Sequence, residues 1–151
     1  MKIVVNKCYG GFHLSAEAYF RVLDGMIKDN NWFIYTYEPD DRVSKFIEKP
    51  IVYTKASISD IDFGDSYIIV SKNYGDSFTD KELNEKDKIY IEEGYNIPRN
   101  NIHLVKVVEE MGEDAWGEYS KLKVIDIPDD IEWEIIEHDG WEIIVDKNRS
   151  W

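Results

Sequence analysis

A chain of 151 residues, 43% apolar and 32% charged, is long enough to bury a core without disulfides or metal, and its composition excludes wholesale disorder. A net charge of −13 argues against binding the backbone of a nucleic-acid polymer, and the lone Cys8 leaves no intrachain disulfide. No apolar run reaches the roughly 20 residues of a membrane span and no signal peptide is read at the N-terminus, so a cytoplasmic protein is expected.

In chain order, KIVVN (2–6) reads as a buried strand. Ser15 then caps a helix whose apolar stripe is Tyr19, Val22, Leu23 and Met26, ending near Lys28. WFIYTYE (32–38) and SYIIVSK (66–72) read as strands, with 39–65 lacking a clear period between them. A short helix is expected at 80–84, amid the turn signals of 73–101. Asn101 caps a second helix carrying Leu104, Val107, Val108 and Met111, with Gly112 as its stop. KLKVIDI (121–127) is a strand, and IEWEIIEHDGWEIIVDK folds as a hairpin about Asp139-Gly140.

The sum is an α+β fold of two main helices and about five or six strands, the helices packed on a mixed or antiparallel sheet with a C-terminal β-hairpin, in a single domain 1–151. With the turn at 139–140, Glu137 faces Glu142 across the hairpin. That pair repels unless a cation stands beside it, so an Arg or Lys from a neighbouring element or chain is expected there. Both hairpin faces carry large apolar residues, which predicts cover on both sides, by the helices and by another subunit.

Charge is unevenly placed. Residues 107–139 hold twelve acids against two bases, a local balance of −10, whereas residues 1–16 hold Lys2 and Lys7 and no acid. The acidic stretch reads as a solvated face or as a surface that binds a host protein in the manner of a DNA mimic. The acid-free stretch contains Tyr9-Gly10-Gly11-Phe12 between a strand and a helix N-terminus. Such a loop is either a tight connection with both aromatics in the core, or a cradle in which backbone N–H groups and Lys7 hold an anion. At the other end, the tail DKNRSW offers Arg149 as a phosphate ligand or stacking partner, and Trp151 as a group docked on the core or on another subunit. His13, His103 and His138 are isolated, without metal-ligand spacing, and Cys8 lacks a paired base, so no enzyme, metal site or cofactor is expected.

Two stretches resemble a known family. MKIVVNKCYGGFHLS, and VVEEMG through KLKVIDIPDD to the terminal DG and NRSW, are similar to a widespread family of small bacteriophage proteins that begin C-Y-G-G-F-G-L-S and end E-Y-D-G and H-R-T-W. IPRNN adds Arg99 to the match, and 30–96 reads as a family-variable elaboration that carries no recognised motif. The chain departs at His13 for Gly, His138 for Tyr, Asn148 for His and Ser150 for Thr. The family is identified with sponges that sequester cyclic dinucleotides of cyclic-oligonucleotide-based antiphage signalling (CBASS), such as 3′3′-cGAMP. The resemblance implies a homo-oligomer, such as a tetramer, acting in the host bacterial cytoplasm without hydrolysing its ligand. The ligand-binding residues it implies, taken with the loop chemistry, are Lys7, Tyr9, Gly10, Gly11, Phe12, Ser15, Arg99, Arg149 and Trp151.

Overall fold

A computed structural model describes residues 1–38, 50–62, 64–91 and 97–148. The fold is α+β, with antiparallel pairing throughout the described strands. Two compact units form, Met1–Leu23 with Ile91–Trp151, and Asp24–Tyr90. The boundary falls inside the first helix, α1 (Ala16–Asn30).

In the first unit, β1 (Lys2–Asn6) pairs with β7 (Leu122–Asp126) in a two-stranded sheet, Val4 opposite Val124. Ile3, Val4, Val5 and Asn6 are wholly buried, so β1 reads as an apolar run because neither of its faces meets water. The helix α2 (Ile102–Met111) packs against both strands and buries Leu104, Val105, Val107 and Val108. Asn101 Oδ1 accepts from the N–H groups of His103 and Leu104 at 2.9 and 3.2 Å, and Gly112, at φ +57°, ends the helix. Asn101→Ala is expected to lower stability by about 1 kcal/mol, read as a shift in urea midpoint at constant slope. Ser15 Oγ accepts from the Ala18 N–H, which starts α1. Ala18, Val22 and Leu23 are the buried stripe, while Tyr19 and Met26 are only half-buried.

The hairpin pairs β8 (Trp133–His138) with β9 (Trp141–Asp146) in the register read from the sequence, Glu137 opposite Glu142 and Trp133 opposite Asp146. Asp139 at φ 49° and Gly140 at φ 91° make the turn, as an Asp-Gly pair favours. The inner cover is a strand where helices were expected. The Glu142 face packs against β1, whereas Ile136, Ile143 and Trp141 on the other face are exposed in the single chain.

The second unit holds a five-stranded sheet in the order β5-β3-β2-β4-β6: β2 (Phe33–Thr36), β3 (Val52–Ala56), β4 (Tyr67–Val70), β5 (Ser77–Thr79) and β6 (Lys88–Ile89). No helix forms at 80–84. A turn follows β5 there, and a single 3-10 turn lies later, at Glu85–Asp87. The core of this unit is aromatic. Phe78 lies 4.8, 4.9 and 4.3 Å from the rings of Tyr35, Tyr53 and Tyr74. Tyr35 Oη donates to the Gly75 carbonyl and accepts from the Tyr74 N–H.

Burial pushes the phenols of Tyr35, Tyr53 and Tyr74 above their ordinary value of 10.0, with the Asp87 carboxylate adding to the rise at Tyr74. Their folded values exceed the unfolded one. The stability they carry is therefore complete below pH 10 and lost as pH rises through the raised folded values. A urea midpoint that falls once pH passes 10, in step with phenolate absorbance, is the expected result. A midpoint flat through that range would refute it.

Candidate functional site

The two glycines of the N-terminal loop answer to different neighbours. A Cβ on Gly10 would strike the Cβ and carbonyl of Tyr119, so backbone meets backbone there. Gly11, at φ +90°, faces open space instead. From the other side the hairpin turn closes on the loop. A Cβ on Gly140 would run into the Gly11 nitrogen and come within 2.8 Å of the Tyr9 carbonyl. The loop is thus clamped between the segment 117–120 and the turn 139–140. His13 strengthens the clamp, its carbonyl accepting from Gly117 N–H at 2.8 Å and Ser120 Oγ at 2.7 Å.

Asn6, wholly buried at the end of β1, ties these parts together. Its Nδ2 donates to the carbonyls of Cys8 and Gly140 at 2.8 and 2.7 Å, and its Oδ1 accepts from Lys121 N–H at 3.0 Å. A buried amide with three satisfied bonds fixes geometry more than it adds net stability.

The expected cation beside Glu142 is Arg99. Its Nη1 and Nη2 donate to Oε1 and Oε2 of Glu142 at 2.6 and 2.8 Å, a bidentate pair, and Asn6 N–H adds a third bond at 2.7 Å. Glu142 is only 4% exposed. The guanidinium lies 3.6 Å from the centre of the buried Phe12 ring, which gives the cation a second, π partner. Val4 N–H bonds to the Arg99 carbonyl at 2.9 Å, so the backbone that carries the side chain is anchored to β1.

Around this pair opens a cleft of about 390 Å³ lined by Gly10, Gly11, Phe12, His13, Arg99, Glu118, Tyr119, Glu137 and Glu142. Four of the nine site residues read from the sequence, Gly10, Gly11, Phe12 and Arg99, therefore meet in one place. Tyr9 is beside it, its ring 5.3 Å from Trp141. Lys7 turns away, its Nζ donating to the Glu142 carbonyl oxygen at 2.6 Å. Ser15 caps α1 and donates to the Asp114 carbonyl. Arg149 and Trp151 lie outside the described residues.

Sequence reasoning missed Glu118 and Tyr119. Tyr119 is 73% exposed at φ 61°, and among the described residues neither Glu118 nor Glu137 has an ion-pair or hydrogen-bond partner for its carboxylate. Gly117, with no room for a Cβ against His13, was the signal of a close approach in this segment.

The cleft's charge is three glutamates against one arginine that is already paired. Its free groups are hydrogen-bond acceptors and an aromatic face, suited to a flat ligand with N–H donors. Among the described residues no cluster of His, Cys, Asp and Glu could hold a metal ion, and no helix is long and apolar enough to cross a membrane. Comparisons with family models, with curated proteins and with solved structures find no match to this chain.

Proposed function

We propose that the protein is a bacteriophage immune-evasion factor that binds cyclic dinucleotides such as 3′3′-cGAMP in this cleft and withholds them from CBASS without chemical conversion. One observation supports the reading above others: the loop residues Gly10, Gly11 and Phe12 and the sequence-distant Arg99, all part of the pattern of the phage family it resembles, line one cleft.

The geometry narrows how such a ligand binds. A volume of about 390 Å³ is at the small end for ligand sites, room for one base rather than a whole cyclic dinucleotide. Base stacking on Tyr119 is worth about 1–3 kcal/mol. The carboxylates of Glu118 and Glu137 accept from the N–H edge that guanine presents and adenine does not. Phosphates stay outside this acidic cleft, and Arg149 is the cation that the family pattern offers for them. A ligand with two bases then engages two copies of the cleft, which gives the homo-oligomer a role in capture.

Titration with 3′3′-cGAMP, cyclic di-GMP and cyclic di-AMP tests the proposal, with light scattering of free and loaded protein. Binding in the order of guanine content, and intact ligand recovered after denaturation, are the expected results. Linear product, or no binding across cyclic di- and trinucleotides, would sink it.

A further inference from the structure

The outer side of the hairpin carries chemistry that the cleft does not use. Ile136 and Ile143, a cross-strand pair, are 47% and 45% exposed, and Trp141 continues the strip to the ring of Tyr9. Beside the strip runs the far edge of β8, which pairs with no strand among the described residues.

The phase of that edge follows from the turn. In a two-residue hairpin the flanking residues, His138 and Trp141, form a hydrogen-bonded pair, so Ile136 and Glu134 also bond toward β9. Lys147 N–H donating to the Glu132 carbonyl at 2.8 Å keeps the same phase. The N–H and C=O groups of Trp133, Ile135 and Glu137 therefore point to the open edge. Exposed edges are commonly blunted by lysine, proline or a bulge, and β8 contains no lysine or proline and keeps unbroken register.

Its exposed charges are instead acidic, Glu134 and Glu137, with Glu132 and Asp139 just beyond the strand ends. A second copy of β8 laid against the first would set carboxylate beside carboxylate, on a chain already at −13. The same charges favour a strand of opposite sign.

We propose that the β8 edge binds an extended segment of another protein in which Lys or Arg alternates with β-branched apolar residues. The segment adds a third strand through the main-chain groups of Trp133, Ile135 and Glu137. Its cations lie on the outer face, where they meet Glu132 and Glu134 and lay their aliphatic stems along Ile136, and its apolar side chains lie on the opposite face beside Ile135. The interaction needs no ligand in the cleft, whose lining shares Glu137 with this edge.

A fluorescent alternating Lys-Val peptide is the probe, read by anisotropy, with amide hydrogen exchange locating it. Two isomers, N-methylated at alternate residues in opposite phases, keep charge and side chains. One still turns its N–H groups to the edge, and the other turns methyl groups there.

The first isomer is expected to bind like the parent and the second about tenfold or more weakly, since it loses the ladder. The parent peptide is expected to protect the amides of Trp133, Ile135 and Glu137. Glu134→Lys is expected to weaken the parent and admit the alternating Glu-Val peptide. Equal binding of the two isomers means charge attraction alone and overturns the proposal. So does protection of those three amides in the free monomer, where the chain covers its own edge, or in a concentration-dependent dimer, where a second copy does.

Discussion

Arg99→Ala is expected to destabilise the protein by about 3–5 kcal/mol, the cost of leaving one member of a buried ion pair without its partner. Glu142 is the reason. At 4% exposure, with both carboxylate oxygens engaged by the guanidinium, it cannot recover water when Arg99 is removed. One N–H from Asn6 remains, far short of compensation for a buried anion.

The measurement is the urea midpoint of wild type and variant at equal slope. A loss below about 1 kcal/mol would mean a pair as weak as an exposed surface bridge. The double variant Arg99→Met/Glu142→Leu is expected to recover most of the loss, because two apolar groups of similar size leave no charge buried. That recovery separates the cost of an orphaned carboxylate from the worth of the pair. It also bears on the site. A guanidinium committed to Glu142 is a strut, and phosphate contact through Arg99 would have to break it.

Gly140→Ala against Gly11→Ala is the second large contrast. Both glycines have φ near +90°, so both substitutions pay about 1–2 kcal/mol of left-handed strain. Only at Gly140 does the new methyl also meet backbone, the Tyr9 carbonyl at 2.8 Å and the Gly11 Cα at 2.9 Å. Backbone cannot swing aside as a flexible side chain can, and the overpacking adds about 1–3 kcal/mol more. The expected result is a loss of about 3 kcal/mol or more for Gly140→Ala and about 1 kcal/mol for Gly11→Ala. Equal losses would show that the turn and the loop are not clamped. Gly11→Ala, which keeps its fold, is then the variant in which to measure ligand binding.

How far the sequence reached is clearest at the hairpin. Asp139-Gly140 defines a two-residue turn, and a two-residue turn leaves one register, so every cross-strand partner followed. The need for a cation beside Glu142 followed too, because it is an electrostatic demand of that register. Both main helices were legible from caps and period.

In the second unit β2 and β4 were legible as the apolar runs 32–38 and 66–72, and the other three strands were not, for local reasons. β5 and β6 are three and two residues long, too short for a period to register. Val52–Ala56 exposes most of its residues and buries Tyr53 alone, so its alternation is masked by its neighbours. In the site, the loop glycines were legible but their division of labour was not. Gly10 is fixed by Tyr119 and Gly140 by Gly11, contacts made across more than a hundred positions of chain. Lys7 looked like a free cation because nothing local shows that the Glu142 carbonyl oxygen takes it.

The bonds that Glu142 accepts also govern the order in which the molecule can assemble. The hairpin closes locally about a two-residue turn, a microsecond event for such an element. Seating it is another matter, since Glu142 bonds to Asn6 across 136 positions and to Arg99 across 43. Contacts of such separation carry the full loop-closure entropy and form after local ones. β1 and β7 themselves pair across 116 to 124 positions (Asn6 with Leu122, Lys2 with Asp126), so by this measure the core that receives the ribbon closes no sooner than the ribbon docks. Kinetics tells the orders apart: a ribbon that docks last makes substitutions in the Arg99–Glu142 pair hasten unfolding, and one that docks together with β1 and β7 makes them slow folding.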